Sequence, residues 1–185
     1  MMKEVCDILS YNYKHIEFID KKVDLGFDCP LDLHCDYTTD VIMAAFGYFN
    51  EEKKPAFREG VKYFEDKKTD IFFITLNKSD KDFSPSTLYE DYAINEKLFH
   101  WQTQSKTSIQ STTGQRYINH LKTGNKIALF VREYKTRDAL TSPFTYLGTC
   151  EYRSHSGDKP ISFVWELHEE IPASMINKAN KTIII

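Results

Sequence analysis

Hydrophobic positions along the chain switch between a helical and an extended period, and the switches mark the elements. Between Lys3 and Tyr13, Val5, Ile8 and Leu9 recur at helical spacing among polar residues, which predicts a short amphipathic lead-in helix. His15 to Ile19 reads as a brief extended segment, and Gly26, Asp28 and Pro30 mark a turn. Thr38 or Thr39 is placed to cap a helix through Asp40 to Phe46, with Asp40 against its positive end and Gly47 at its exit.

Beyond the charged loop Glu51 to Pro55, the period becomes two. Gly60 to Phe64 alternates as a strand, and the run DIFFITL (Asp70 to Leu76) is rich in β-branched and aromatic residues; the charged turn Glu65 to Lys68 between them predicts a hairpin. Asn77 to Pro85 is polar, after which Thr87 and Glu90 form a T-x-x-E capping box and place Tyr89 and Tyr92 on one face. Alternation through Leu98 to Gln102 sends Phe99 and Trp101 one way and His100 and Gln102 the other.

Ser105 to Thr113 is a hydroxyl-rich loop able to order on a ligand. A second capping box, Thr112 with Gln115, opens a helix whose buried positions are Tyr117, Ile118 and Leu121 and which Gly124 closes. KIALFVRE (Lys126 to Glu133), Phe144 to Tyr152 and Ile161 to Leu167 read as strands, with turns at Gly148, Gly157 and Pro160. Pro172 to Ile185 is ambiguous, with KTIII as a possible edge strand. Short helices mixed with strands in this order predict an α+β fold, a small partly open β-barrel flanked by short helices. It forms one domain, with residues 1–30 as lead-in and 31–185 as the barrel.

Composition supports that size. The chain has 185 residues, 41% hydrophobic and 14% aromatic, enough for a single domain that buries roughly 70% of its unfolded surface. Apolar runs such as Val41 to Phe46 fall far short of the ~20 residues that cross a bilayer, and the N-terminus lacks a basic region followed by an apolar one. A soluble, cytoplasmic protein without a membrane partner is the expectation. Four cysteines without C-x-x-C spacing read as reduced thiols. Cys29, His34 and Cys35 match no zinc pattern, so no metal and no cofactor are expected.

Charge sharpens the picture. Residues 1–100 hold 13 basic and 20 acidic side chains, whereas residues 101–185 hold 11 and 7. Within 101–137, Lys106, Arg116, Lys122, Lys126, Arg132, Lys135 and Arg137 face only Glu133, a local field that attracts phosphates. The entrance of the Thr112 helix, rimmed by Ser111, Thr112 and Thr113 and followed by Arg116, offers N–H groups suited to a phosphate. A solvated face and an ordinary cap are the plainer readings of the two features.

Leu88 to Gln104, LYEDYAINEKLFHWQTQ, is the stretch densest in groups that both stack and hydrogen-bond. Indole, imidazole and amide each require a partner when buried, and a flat polar ligand satisfies all of them. Core packing is the alternative for each aromatic, and Trp165, alternating with Phe163, reads as core.

Eight blocks occur in order: LDLHCDYTTDVI, FREGVKYF, KTDIFFITLNKS, LYEDYAI, LFHWQTQS, TGQRYINH, ALFVRE and YLGTCEYRSHSGDKPISFVWEL. Together they resemble the C-terminal domain of bacterial superfamily II helicases that carry a phospholipase-D-like nuclease. The resemblance implies the target-recognition module of a type IV restriction system directed at modified cytosine, with the parent protein's helicase and nuclease domains as partners. It also implies a barrel like those of PUA, ASCH and SRA domains, with a B3-like pseudobarrel as the competing geometry. No G-x-x-x-x-G-K-[ST] loop, DEAD-like box or H-x-K pair stands in these residues, so recognition without catalysis is expected.

For double-stranded DNA carrying 5-methyl- or 5-hydroxymethylcytosine, detection requires an apolar contact in the major groove or removal of the base from the stack. Tyr89, Tyr92, Phe99 and Trp101 are candidates to sandwich a flipped base, stacking being worth about 1–3 kcal/mol per base. Asp91 is the candidate acceptor from N4, and His100, Gln102 and Gln104 are candidates to donate to O2 or accept from N4. Ser105, Lys106, Ser111, Thr112, Arg116, Arg132 and Lys135 are the candidate phosphate contacts. A protein-docking module using the acidic first half is the alternative. Hydrolase-like pairs, His100 with Asp91 or His155 with Asp158, lack a supporting nucleophile motif.

Overall fold

The runs DIFFITL and KIALFVRE, apolar with little alternation, become neighbouring inner strands of one sheet. The computed structural model describes residues 3–6, 21–49, 57, 59–77, 91–173 and 175–176. Expectations for His15 to Ile19, Glu51 to Pro55, the Thr87–Glu90 box with Tyr89, and KTIII lie outside the described residues; of the lead-in helix, residues 3–6 are described and are helical. In chain order the elements are β1 (Asp36–Tyr37), α1 (Thr39–Ala45), β2 (Val61–Phe64), β3 (Thr69–Asn77), β4 (Tyr92–Ala93) and β5 (Leu98–Gln102). They continue with α2 (Thr112–Ile118), α3 (His120–Thr123), β6 (Lys126–Tyr134), β7 (Thr136–Arg137), β8 (Leu140–Thr141), β9 (Phe144–Ser156) and β10 (Ser162–Leu167).

Eight described strands form one mixed sheet in the order β2, β3, β6, β9, β10, β5, β4, with β1 added to β9. The β2–β3 hairpin is antiparallel and in the expected place, with Tyr63 opposite Asp70. Strands β3 and β6 are parallel. A parallel pair requires a long crossover, and β4, β5, α2 and α3 all fall between Asn77 and Lys126.

The sheet separates two cores, which explains the missing alternation. Phe72, Ile74, Ile127, Leu129 and Val131 face one core with Tyr117 of α2. Ile71, Ala128 and Phe130 face the other with Ile42 and Met43 of α1. Strands covered on both faces need apolar residues at every position. Helix α1 follows its sequence signals: the Thr38 side chain accepts from the Val41 N–H at 3.4 Å, and Gly47 takes φ +73°.

The sheet curls strongly. Phe72 on β3 stacks on Trp101 on β5 at 4.2 Å between centroids and 24° between planes, although β6, β9 and β10 lie between those strands in the order. No pairing among the described strands joins the β2 end to the β4 end; the sheet is open, where a partly open barrel was expected. The fold is α+β, dominated by one large mixed sheet with few helices.

Three local expectations change. Gly148 lies inside β9, not at a turn; its φ is +82°, it sits beside the register shift opposite Leu129 and Phe130, and an added Cβ would come within 2.9 Å of Leu33 Cδ1. Helix α2 is capped by Ser111, whose Oγ accepts from the Gly114 N–H at 3.1 Å, and not by Thr112. Gln115 donates to the Ile109 carbonyl instead of reaching back to the cap. The helix ends at Ile118 and resumes as α3, so Leu121 is 55% exposed while His120 is buried.

The break at Asn119 has a hydrogen-bonding reason. His120 Nδ1 donates to the Asn125 carbonyl at 3.0 Å and Nε2 accepts from the Tyr152 N–H at 2.9 Å. Strand β9 extends beyond the last residue that β6 pairs with, Cys150. The imidazole therefore serves a β9 N–H that the β6 ladder does not reach.

Candidate functional site

The polar-aromatic stretch is divided by strand alternation. Phe99 is fully buried and Trp101 is 6% exposed, both within the core that holds Tyr117. His100 and Gln102 point to the opposite face. There the Tyr92 ring stacks on His100 at 4.7 Å and 20°, and Gln102 Nε2 donates to Ser162 Oγ at 3.0 Å. Asp91 is buried and accepts from the Gln102 N–H at 3.0 Å, so that oxygen fixes backbone. Tyr92, His100 and Gln102 therefore do not converge with Trp101 on one ligand, and Tyr89 lies outside the described residues.

Trp101 and Gln104 instead meet residues from distant elements. A cleft of about 290 Å³ opens between β2, the end of β5 and α2, lined among others by Tyr63, Asp70, Trp101, Gln104, Arg116 and Tyr117. Arg116 Nε and Nη2 donate to the two Asp70 carboxylate oxygens at 2.8 and 2.9 Å, the bidentate fork that guanidinium geometry favours. Its guanidinium lies 4.0 Å from the Tyr63 ring centroid. The Asp70 side chain is 1% exposed and that of Arg116 18%. Burial raises the Asp70 carboxyl and the Arg116 bonds offset part of that rise; burial also pushes the Tyr117 phenol up.

Asp70, Tyr63 and Tyr117 were not among the expected site residues. One signal was present: Asp70 is a lone charge opening a run that is otherwise apolar, and a buried carboxylate demands a cationic partner. Nothing local says that the partner is Arg116, 46 residues away.

The expected phosphate contacts are scattered. Arg132 donates from Nε to Thr75 Oγ1 at 3.0 Å and from Nη1 to the Ser142 carbonyl at 3.2 Å, and packs 4.2 Å from the Phe144 ring centroid. It braces the fold. Ser111 is a helix cap, and the loop before α2 packs against its first turn, since a Cβ on Gly114 would collide with the Ser108 carbonyl. Of the N–H groups foreseen for a phosphate, that of Gly114 is taken by the Ser111 cap. Thr112 is exposed, Ser105 and Lys106 sit on the exposed turn after β5, and Lys135 is exposed at the far end of β6.

Two further clusters have fold-level explanations. At the foot of β6 and β9 a cleft of about 410 Å³ is lined by His120, Thr149, Glu151 and His168 among others. His168 bonds Thr149 Oγ1 at 2.7 Å and Glu151 Oε1 at 2.9 Å, and its N–H donates to the Thr149 carbonyl at 3.0 Å, which ties the end of β10 to β9. His155 and Asp158 do not pair in the hydrogen bonds they make: His155 bonds Tyr152 Oη at 2.7 Å, and Asp158 accepts from the Ile109 N–H at 2.7 Å. Among the described residues no group of three or more His, Cys, Asp or Glu is placed to hold a metal. None of the four cysteines forms a disulfide. No described helix is long and apolar enough to cross a membrane.

An open, curled mixed sheet with an ion-paired aromatic cleft at its seam defines the class: an α+β domain built around a single mixed sheet. The chain belongs to the family described as domain of unknown function DUF3427, which it matches over residues 31–179. That match is consistent with a helicase-associated domain. No curated protein matches the chain.

Proposed function

We propose that this domain is a DNA-recognition module that reads modified cytosine, 5-methyl or 5-hydroxymethyl, as the target-recognition part of a type IV restriction helicase-nuclease. The observation that carries this reading is the cleft at the seam of the curled sheet. Its volume of about 290 Å³ is at the small end of ligand pockets, as a single extruded base requires. Aromatic walls from Tyr63, Trp101 and Tyr117 surround a fixed guanidinium and an exposed glutamine.

In this reading the base site keeps Trp101 and Gln104 from the expected residues and gains Tyr63, Asp70, Arg116 and Tyr117. Arg116, its orientation set by Asp70, donates to cytosine O2 and N3 or packs flat on the ring. Gln104 accepts from the N4 amino group. Lys106, two residues further on, contributes phosphate attraction that is salt-dependent and sequence-blind. The curled sheet serves as an open pseudobarrel of the PUA and SRA kind, by analogy of architecture.

The test is a titration of three otherwise identical duplexes, carrying cytosine, 5-methylcytosine or 5-hydroxymethylcytosine at one position, at fixed salt. Tighter binding of a modified duplex is expected. Equal affinity for all three overturns the reading.

A further inference from the structure

At the end of β6 away from Asp70, the chain bends at Lys135 into β7 and β8, a ribbon that among the described residues pairs only with itself: Thr136 opposite Thr141 and Arg137 opposite Leu140. Its base is clamped. The Ser142 N–H donates to the Lys135 carbonyl at 3.0 Å, and Arg132 ties the Ser142 carbonyl to Thr75 on β3. Its tip is a two-residue turn in which Asp138 (φ 51°) and Ala139 (φ 65°) are both left-handed, the geometry of tight hairpins usually built with Gly or Asn. A stiff support therefore presents an unusual surface. Leu140 is 73% exposed, more than any other exposed large hydrophobic among the described residues, and Tyr134 at the root is 47% exposed.

Directly opposed residues of a two-stranded ribbon project from the same face, so Leu140 and Arg137 are displayed side by side. The surrounding residues are Thr136, Asp138, Ala139 and Thr141, too polar to continue an apolar protein–protein patch. An isolated apolar tip beside an arginine complements a surface that is anionic at its walls and carries single methyl groups on its floor. That is the major groove of DNA, which is wide enough for a two-stranded ribbon and displays the C5-methyl of thymine and of 5-methylcytosine.

We propose that the β7–β8 ribbon is a groove finger: it enters the major groove of the duplex whose base is read in the cleft, with Leu140 against pyrimidine methyl groups and Arg137 on a flanking phosphate. The inference rests on the DNA-reading function proposed above. Strand β6 spans eight residue steps from Lys126 to Tyr134, on the order of 26 Å. That is about eight base pairs of duplex, so the finger contributes flanking-sequence preference at a distance from the modified base.

The experiment is a binding titration of the full chain and of Leu140→Ala, Arg137→Ala and, as a cleft variant, Gln104→Ala. All three positions are exposed, and unchanged thermal unfolding confirms folding. The duplexes carry cytosine or 5-methylcytosine at one position, with the flanking thymines kept or replaced by uracil. Arg137→Ala is expected to weaken binding to every duplex several-fold and to lower the slope of log affinity against log salt by about one. Leu140→Ala is expected to weaken binding several-fold on thymine-containing duplexes and to have no effect where the flanks are uracil. Unchanged affinity and salt slope in both ribbon variants overturns the proposal, and so does a Leu140→Ala loss equal on thymine and uracil flanks. If the wild type does not distinguish modified from unmodified cytosine while the ribbon variants behave as expected, the cleft reading fails and the finger stands. A wild type that binds no duplex overturns both.

Discussion

Arg116 is held from two directions, by both oxygens of Asp70 and by the face of Tyr63. A buried pair of this kind is worth little against an apolar pair of the same shape, but removing one partner strands the other charge and costs about 3–5 kcal/mol. Asp70→Ala is therefore expected to lower the unfolding free energy in urea by about that amount. Gln104, exposed on the rim, is different: Gln104→Ala should leave stability within about 0.5 kcal/mol while reducing the preference for modified over unmodified cytosine in the titration above.

His120 makes a pH prediction. It is buried and neutral, with its proton on Nδ1 by the bonds it makes, and burial depresses its pKa below the ordinary value. The unfolded chain takes up the proton first, near pH 6.5, so the stabilisation is complete above that value and declines as pH falls through it towards the lower folded value. Burial depresses His34 in the same direction. Urea midpoints are expected to fall between pH 7.5 and 5.5. His120→Gln should be less stable at pH 7.5 and show a shallower fall.

At the scale of the element, α2 shows two effects in opposition. Gly-to-Ala in a helix interior ordinarily stabilises by about 1 kcal/mol. At Gly114 the new methyl would meet the Ser108 carbonyl and crowd that of Ile109, and these belong to backbone that enters the helix cap. Steric cost of about 1–3 kcal/mol outweighs the propensity gain, so Gly114→Ala is expected to lower the thermal midpoint. The preceding loop does not merely lead to the helix; it packs against the helix's first turn.

For the molecule as a whole, the curl of the sheet matters most. It brings Phe72 against Trp101 and leaves between β2 and β5 a seam where the cleft lies. Trp101 is thus a core residue with an edge at the site, and Trp101→Ala is expected to cost about 3–5 kcal/mol, read as a large drop in urea midpoint. Its loss of binding would report unfolding as much as recognition, which makes Gln104 the cleaner probe of the cleft.

The sequence by itself determined what depends on neighbours along the chain. The cap at Thr38, the hairpin across residues 65–68, the alternation that puts Phe99 and Trp101 on one face, and the glycine stop at position 124 are local, because period and turn chemistry act within a few residues. The tertiary structure alone decided what depends on which surfaces meet. Alternation alone sets Trp101 opposite His100, but only the pairing of β4 with β5 lays the Tyr92 ring on His100. Asp70 and Arg116 are 46 residues apart, yet the crossover from β3 to β6 and the curl of the sheet set them in contact. A carboxylate in an apolar run announces that it needs a partner; only the packed fold chooses one.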